Sequence, residues 1–267
     1  LDAPDIPLWA LWAVQEYAAR YGMEQTRANY GDFVSRVIDD ILADKHPNLH
    51  VDDRGLIETA GHRTAASWMA ATMPGSTVPL IPRTGYLVEL NALWYDALQF
   101  AVELFDGDSA FDDRRENWSG VSASFAPAFI SMFLNEAGYL WDYVERSGPN
   151  PEVRPNMAIA IGLRHTPLDR RQRKGVLDVV TRELLTPKGL RTLSPKSGNY
   201  RPLYVGTPEE RAKAHHNGPA RPWLMGFYAS AYLKVFGMSG VGYIDRMLIG
   251  FEEEMSQGCI GSLSQLY

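Results

Sequence analysis

Apolar positions recur along almost the whole chain at helical rather than strand spacing. Leu8, Leu11, Trp12, Gln15 and Ala19 lie on one i, i+3, i+4, i+7 stripe, and Tyr21-Gly22 ends that run. A second helix is predicted after Gly31, carrying Phe33, Val34, Val37, Ile38 and Ile41 until His46-Pro47 stops it. The stretch from Leu87 to Leu104 is apolar nearly all round, which predicts an inner, buried helix. Further helices are predicted near 122–134, 157–163, 170–185, 222–236 and 242–256. Strand-like alternation is scarce, and only 51–59 and 67–83 leave room for short hairpins. About eight helices and no open sheet make the class all-α.

The loops between these helices, 44–62, 72–86, 145–156 and 186–222, are rich in Gly and Pro and long for a simple bundle. Long loops on a helical scaffold usually form a functional face. Neither an internal repeat nor a Ser/Gly linker divides the chain, so one domain is expected.

Composition narrows the chemistry. With 45% hydrophobic and 22% charged residues the chain is globular rather than disordered. The single cysteine, Cys259, excludes an internal disulfide framework and is read as core filling. A net charge of −6 argues against a binder of nucleic-acid phosphates. No window of eighteen apolar residues offers a membrane span. The six histidines form no His-x-x-x-His pair, and the adjacent His215-His216 would point apart, so no metal is expected. Neither a nucleophile elbow nor a phosphate-cradling or dinucleotide loop is present, and no cofactor is expected.

What remains is a high count of rings, 7 Trp and 13 Tyr, with polar groups placed among them. Most rings of this kind fill cores, but some could stack on the apolar faces of sugar rings. Arg83 and Gly85 lead straight into the apolar helix, and Glu89 and Asn91 sit inside it. A buried carboxylate needs a partner. Glu89 either pairs structurally with Arg83 or faces a cleft and accepts hydrogen bonds from sugar hydroxyls. Asp142 lies beside Tyr139 and Trp141, and His216-Asn217-Gly218 precedes Trp223. Such clusters suit a carbohydrate.

The run IPRTGYLVELNALWYDAL resembles the "TPR-GxxVEINALWYNAL" segment of the amylo-α-1,6-glucosidase domain of glycogen debranching enzymes. VRPNMAIAIGLRHTPL is similar to the family's "IRPNQLLALSLPHSPL", and RELLTPKGLRTLSP is almost its wording. HHNGPARPWLMG resembles "YHQGTVWPWLLG", and DIPLWALWAVQEY resembles "DASLWFIYAVQEY". These motifs recur in order over essentially the whole chain. The resemblance implies an (α/α)6 toroid, a glucoamylase-like barrel, and a cytoplasmic enzyme of storage-glucan metabolism. It implies hydrolysis, with inversion, of the α-1,6-linked glucose at branch points of an α-glucan. A closed ring needs twelve helices, so residues 1–267 are expected to form an incomplete catalytic domain lacking the earliest helices and the closing one.

The chain departs from the family at the two positions that matter most. The family's general acid is the Asp of Trp-Met-Asp-Ala, where this chain has Ala70. Its general base is the Glu of "GTISEIFDG", where this chain has Gln265. A methyl group has no proton to give, and an amide cannot take one from water at neutral pH. The motifs around both positions stand, which implies either an inactivated enzyme or a natural glucan-binding paralogue. A relative of the glucoamylases or trehalases is a further alternative. Glu58, Asp52 and Asp53 are nearby carboxylates that could replace the lost acid.

By motif, the resemblance assigns substrate contacts to Asp5 and Trp9, with Asp2 as a rival for the acid, and to Trp68 beside the scissile bond. It adds Arg83, Glu89, Asn91 and Trp94 from the central motif, and Arg154 with Asn156; Asp142 joins the candidates from its ring cluster alone. Met157 stands where the family often has Gln. Arg191, His216 and Trp223 complete the set, although Pro219-Ala220-Arg221 replaces the family's Thr-Val-Trp. Trp9, Trp68, Trp94 and Trp223 are the sugar-facing rings expected.

Overall fold

The computed structural model describes residues 3–59, 65–256 and 260–267; Asp2 and Cys259 lie outside them. Nine α-helices run through the described residues: α1 (Asp5–Tyr21), α2 (Met23–Leu42), α3 (Val88–Leu104), α4 (Asp112–Phe133), α5 (Asn156–Gly162), α6 (Arg170–Glu183), α7 (Pro208–Ala214), α8 (Met225–Phe236) and α9 (Val241–Glu252). Their packing sorts eight of them into two layers. Helices α1, α3, α5 and α8 pack side by side in that order as an inner arc. Helices α2, α4, α6 and α9 back them: α2 against α1 and α3, α4 against α3, α6 against α5 and α8, and α9 against α8. This is the helical-hairpin layering of an all-α toroid, with four inner helices among the described residues.

Burial follows the layers. Helix α3, with neighbours on every side, buries Leu90, Leu93, Trp94, Leu98, Phe100 and Leu104, as its all-round apolarity predicts. Helix α2 buries only one stripe, Val34, Ile38 and Ile41. Gly162, at the end of α5, lets α8 approach closely: a Cβ there would sit 2.5 Å from the Phe227 carbonyl oxygen.

Three sequence expectations need correction. Helix α2 begins at Met23 and runs through Gly31, which faces the Phe105 ring across the α2–α3 contact. A small residue serves a close crossing there and does not break the helix. Helix α4 starts ten residues before the expected 122, with Asp112 and Asp113 favouring its positive N-terminal end. Helix α7 falls inside the expected 186–222 loop.

The strands are short and cluster where the inner helices begin. β1 (Leu49–Val51) and β2 (Ile57–Thr59) form an antiparallel hairpin pairing Leu49 with Thr59. β3 (Tyr86–Leu87) runs directly into α3 and pairs with β4 (Tyr143–Glu145), which pairs with β5 (Gly148–Pro149). β6 (Leu185–Thr186), β7 (Gly189–Arg191) and β8 (Ala220–Arg221) form a third antiparallel sheet, and β8 leads into α8. The 67–83 segment has only an isolated bridge, Thr72 to Pro79. No helix among the described residues is long and apolar enough to cross a membrane.

Candidate functional site

Helices α1 and α8, at the two ends of the inner arc, face each other across a cavity of about 720 Å³. Helix α1 lines it with Asp5, Trp9, Trp12 and Glu16, residues at i, i+4, i+7 and i+11 on one face. Helix α8 contributes Gly226, Phe227, Ser230 and Lys234. At the mouth stand Trp68, from the long loop after β2, and Trp223, just before α8. Their rings are perpendicular, with centroids 5.0 Å apart, and Trp9 meets Trp223 edge-on at 6.0 Å. Trp223 remains 41% exposed, so one ring of the trio is open to a ligand.

Among the described residues the one carboxylate at this mouth is Asp5, the first residue of α1 and only 7% exposed. The Trp9 indole and the Trp68 backbone N–H lie close to its carboxyl and favour the charged form. Burial, reinforced by the negative charge of Glu89, nevertheless pushes its pKa up to about 6. The group therefore gains and loses its proton in weakly acidic solution.

Behind Trp68 lies a buried polar network tied to the starts of the other inner helices. The Trp68 indole donates to Asn156 Oδ1 at 2.8 Å, at the first residue of α5. Asn156 Nδ2 donates to Asp142 Oδ1 at 2.8 Å. Arg83 is the hub: it donates to Asp142 Oδ2 at 2.7 Å, to Ser67 Oγ at 3.0 Å and to both oxygens of Glu89 in the first turn of α3. Burial alone would lower the Arg83 pKa, but Asp142 and Glu89 outweigh it and hold the guanidinium charged. The network fixes the height and tilt of Trp68 through Asn156.

This sorts the expected contacts. Asp5, Trp9, Trp68 and Trp223 line the cavity. Arg83, Glu89, Asp142 and Asn156 lie one layer behind it, and the Glu89 side chain is 0% exposed, so the structural pairing of Glu89 with Arg83 is the one observed. Asn91 does not reach the mouth: it clamps the Ile57 N–H and C=O of β2 at 2.8 and 2.9 Å. Trp94 is a correction of the same kind, a 0% exposed core ring whose indole donates to the Gly55 carbonyl at 3.2 Å. Arg154 staples loops together, donating to His216 O at 2.7 Å, Asn217 Oδ1 at 3.0 Å and Thr192 O at 3.2 Å. Arg191 binds the Tyr200 hydroxyl and Leu185 O, both at 3.2 Å, and braces the β6–β7 hairpin rather than the cavity.

His216 is buried edge-on against Trp68 at 5.3 Å. Burial, with His215 and the guanidiniums of Arg221, Arg154 and Arg83 nearby, pushes its pKa down to about 2, so it stays neutral. Its Nδ1 has no hydrogen-bond partner among the described residues.

Ala70 is half-buried and sits two residues beyond Trp68. Gln265 lies on the final segment, which runs beside β8: Tyr267 and Ala220 exchange backbone hydrogen bonds at 2.8 and 3.0 Å, and Arg221 donates to Gln265 O at 3.5 Å. Neither position carries an ionisable group. The carboxylates that could have replaced the acid lie elsewhere. Asp52 and Asp53 line a depression against α4, Asp52 is bound by Arg54 at 2.6 Å, and Glu58 faces His50 across the β1–β2 hairpin.

Sequence reasoning missed the deeper half of the cavity: Trp12, Glu16, Phe227, Ser230 and Lys234. The signal was present, because Trp12 shares a face with Trp9, and Phe227, Ser230 and Lys234 share one face of α8. Lys234 Nζ donates to Gly162 O at 2.8 Å and to Leu163 O, closing the C-terminal end of α5. Burial pushes its pKa down to about 8.

Comparison with known proteins agrees with this architecture. The sequence model of the family described as amylo-alpha-1,6-glucosidase matches residues 2–267. The glycogen debranching enzyme of Saccharomyces cerevisiae is 25% identical over 253 residues, an alignment covering 79% of this chain. The chain spans only 16% of that enzyme's length. Among solved structures, the GH78 family rhamnosidase of Bacillus sp. GL1 superposes with a TM-score of 0.60 at 15% identity, over 96% of this chain and 22% of that one. An uncharacterized conserved protein of Thermus thermophilus gives 0.51 at 13% identity, over 70% and 41%. Those two likenesses concern the fold alone, but the family match runs through every helix and both ends of the cavity mouth: the chain belongs to the amylo-α-1,6-glucosidase family.

Proposed function

We propose that this chain binds the α-1,6-linked glucose at a branch point of an α-glucan in the mouth of the cavity, and that it does so without cleaving the bond. The observation that carries the reading is the trio Trp9, Trp68 and Trp223 set around the buried carboxyl of Asp5. Rings offer flat apolar faces to a pyranose, and a carboxyl accepts its hydroxyls. The Arg83 network and neutral His216 support the same use, holding the rings in place beside the mouth.

Cleavage with inversion needs two carboxyl groups about 6.5–9.5 Å apart, one to protonate the leaving oxygen and one to deprotonate the attacking water. Ala70 and Gln265 stand where the family pattern puts that pair, and neither exchanges a proton near neutral pH. Binding without turnover is what such a site retains.

Titration calorimetry with a glucosyl-branched maltooligosaccharide is expected to give a Kd of about micromolar to millimolar. A glucose assay on the same mixture is expected to stay at background. Absence of binding, or release of glucose by the unaltered chain, would contradict the reading.

A further inference from the structure

Three buried arginines lie near His216, and one of them lacks a counter-charge. Arg83 pairs with Glu89 and Asp142, and Arg154 pairs with Glu152. Arg221, in β8, is only 2% exposed and holds backbone carbonyls alone, His215 O at 2.9 Å and Gln265 O at 3.5 Å. Among the described residues its Nε has no hydrogen-bond partner, and no carboxylate pairs with it. Taking an ion out of water costs several kcal/mol unless an opposite charge and full hydrogen bonding offset the loss. This guanidinium has neither.

Arg221 stands behind the wall of a depression of about 420 Å³. Tyr204, Arg211 and His215 form that wall, and the loop from Thr72 to Ser76 forms the one opposite. The tie is direct: Arg221 bonds the His215 carbonyl, and its charge acts on the His215 ring and on Tyr204. Arg211, on the wall itself, is a second guanidinium without a carboxylate among the described residues; its side chain donates to Gly206 O at 2.5 Å and leaves its other N–H groups unused. Among the described residues no Asp or Glu lines this hollow, although the chain carries a net charge of −6. Thr72, Ser76 and Tyr204 add hydroxyls. His215, kept neutral by burial with a pKa of about 4, adds one ring N–H.

Two guanidiniums, several neutral donors and no competing carboxylate select an oxyanion. Arginine binds phosphoryl oxygens through short, charge-assisted bonds, and a hollow of this size admits a small molecule. We propose that the depression between the 72–76 loop and α7 is an anion site for a phosphoryl group, free or carried by a small sugar, with Arg211 binding its oxygens and Arg221 supplying the counter-charge from behind. The site is separate from the cavity and stands whether or not the cavity holds a glucan.

The test titrates inorganic phosphate, a hexose phosphate and the bare hexose into the full chain at fixed ionic strength, by calorimetry. Both phosphates are expected to bind saturably with a Kd of about millimolar or tighter. Arg211→Gln is expected to weaken them about tenfold, the effect of losing one charged hydrogen bond. Arg201→Gln, in the neighbouring hollow, should change them less than about twofold. Phosphate should also raise the thermal midpoint of the unaltered chain, and Arg221→Gln should abolish that rise. If Arg221→Gln does not fold, Arg211→Gln against Arg201→Gln decides. A hexose phosphate that binds more tightly than phosphate makes a phosphorylated sugar the ligand, and equal affinities make it free phosphate; the site stands in both cases. No saturable phosphate binding, or equal losses in Arg211→Gln and Arg201→Gln, would overturn the inference.

Discussion

Replacing Arg83 with methionine is expected to destabilise the fold by about 3–5 kcal/mol, the usual effect of breaking a buried ion pair from one side. Arg83 holds two carboxylates, and the side chains of both Glu89 and Asp142 are 0% exposed. Methionine matches much of the stem but strips Glu89 of its guanidinium partner and leaves Asp142 with the more distant Arg154, at 3.9 Å. A loss of that size approaches the whole stability of many domains, which is about 5–15 kcal/mol. The urea midpoint should fall accordingly, and neutralising the partners as well, in Arg83→Met with Glu89→Gln and Asp142→Asn, should restore part of it. If the single variant unfolds at the unaltered midpoint, the network is not what orders the mouth.

Asp5→Asn is expected to act on stability and binding in opposite directions. An unfolded Asp ionises near 3.8, whereas Asp5 in the fold holds its proton to about 6. Between those values the folded state binds more protons, so stability falls as pH rises through the window and then levels off. A shift of about two units corresponds to about 3 kcal/mol, an upper bound because asparagine also rearranges the local hydrogen bonds. Asparagine is isosteric and cannot ionise. The variant should therefore match the unaltered chain near pH 4 and exceed it above pH 6. Its affinity for branched glucan at pH 7 should drop, by about 1.5–3 kcal/mol if a charged hydrogen bond is lost. Thermal melts across pH 4–8, paired with calorimetry, read both effects. A variant less stable at pH 7, or one that binds glucan unchanged, would remove Asp5 from the site.

Much of this was readable from the residues, and the misses have physical causes. Helix α3 declared itself because an inner helix must be apolar on every side. The same property hid which of its groups face a ligand: nothing in an all-apolar run separates a core ring such as Trp94 from one at a mouth. Trp9 was reached through the motif that opens α1, not through periodicity, because the exposed positions of that helix include Ile6 while its polar Asp5 and Gln15 are buried. Glu89 and Asn91 are polar residues in an apolar helix, a pattern shared by ligand contacts and by internal clamps; only their partners, Arg83 and the β2 backbone, decide between the two. Helix α7 had a legible start, a Thr207-x-x-Glu210 capping box with Pro208 in the first turn, but at seven residues it carried no periodicity to support it. The start of α4 is polar enough that only Trp118 marks its buried side before Ser122.

The central claim is that a debranching-type scaffold here keeps its sugar site and lacks only the two proton-transferring groups. The most direct measurement is glucose release from a branched limit dextrin by the double reversion Ala70→Asp with Gln265→Glu, compared with the unaltered chain. The account predicts free glucose from the reverted protein, appearing first as the β-anomer because the bond is opened with inversion, and none from the unaltered one. A reverted protein that is folded, binds the dextrin and still releases no glucose would contradict it.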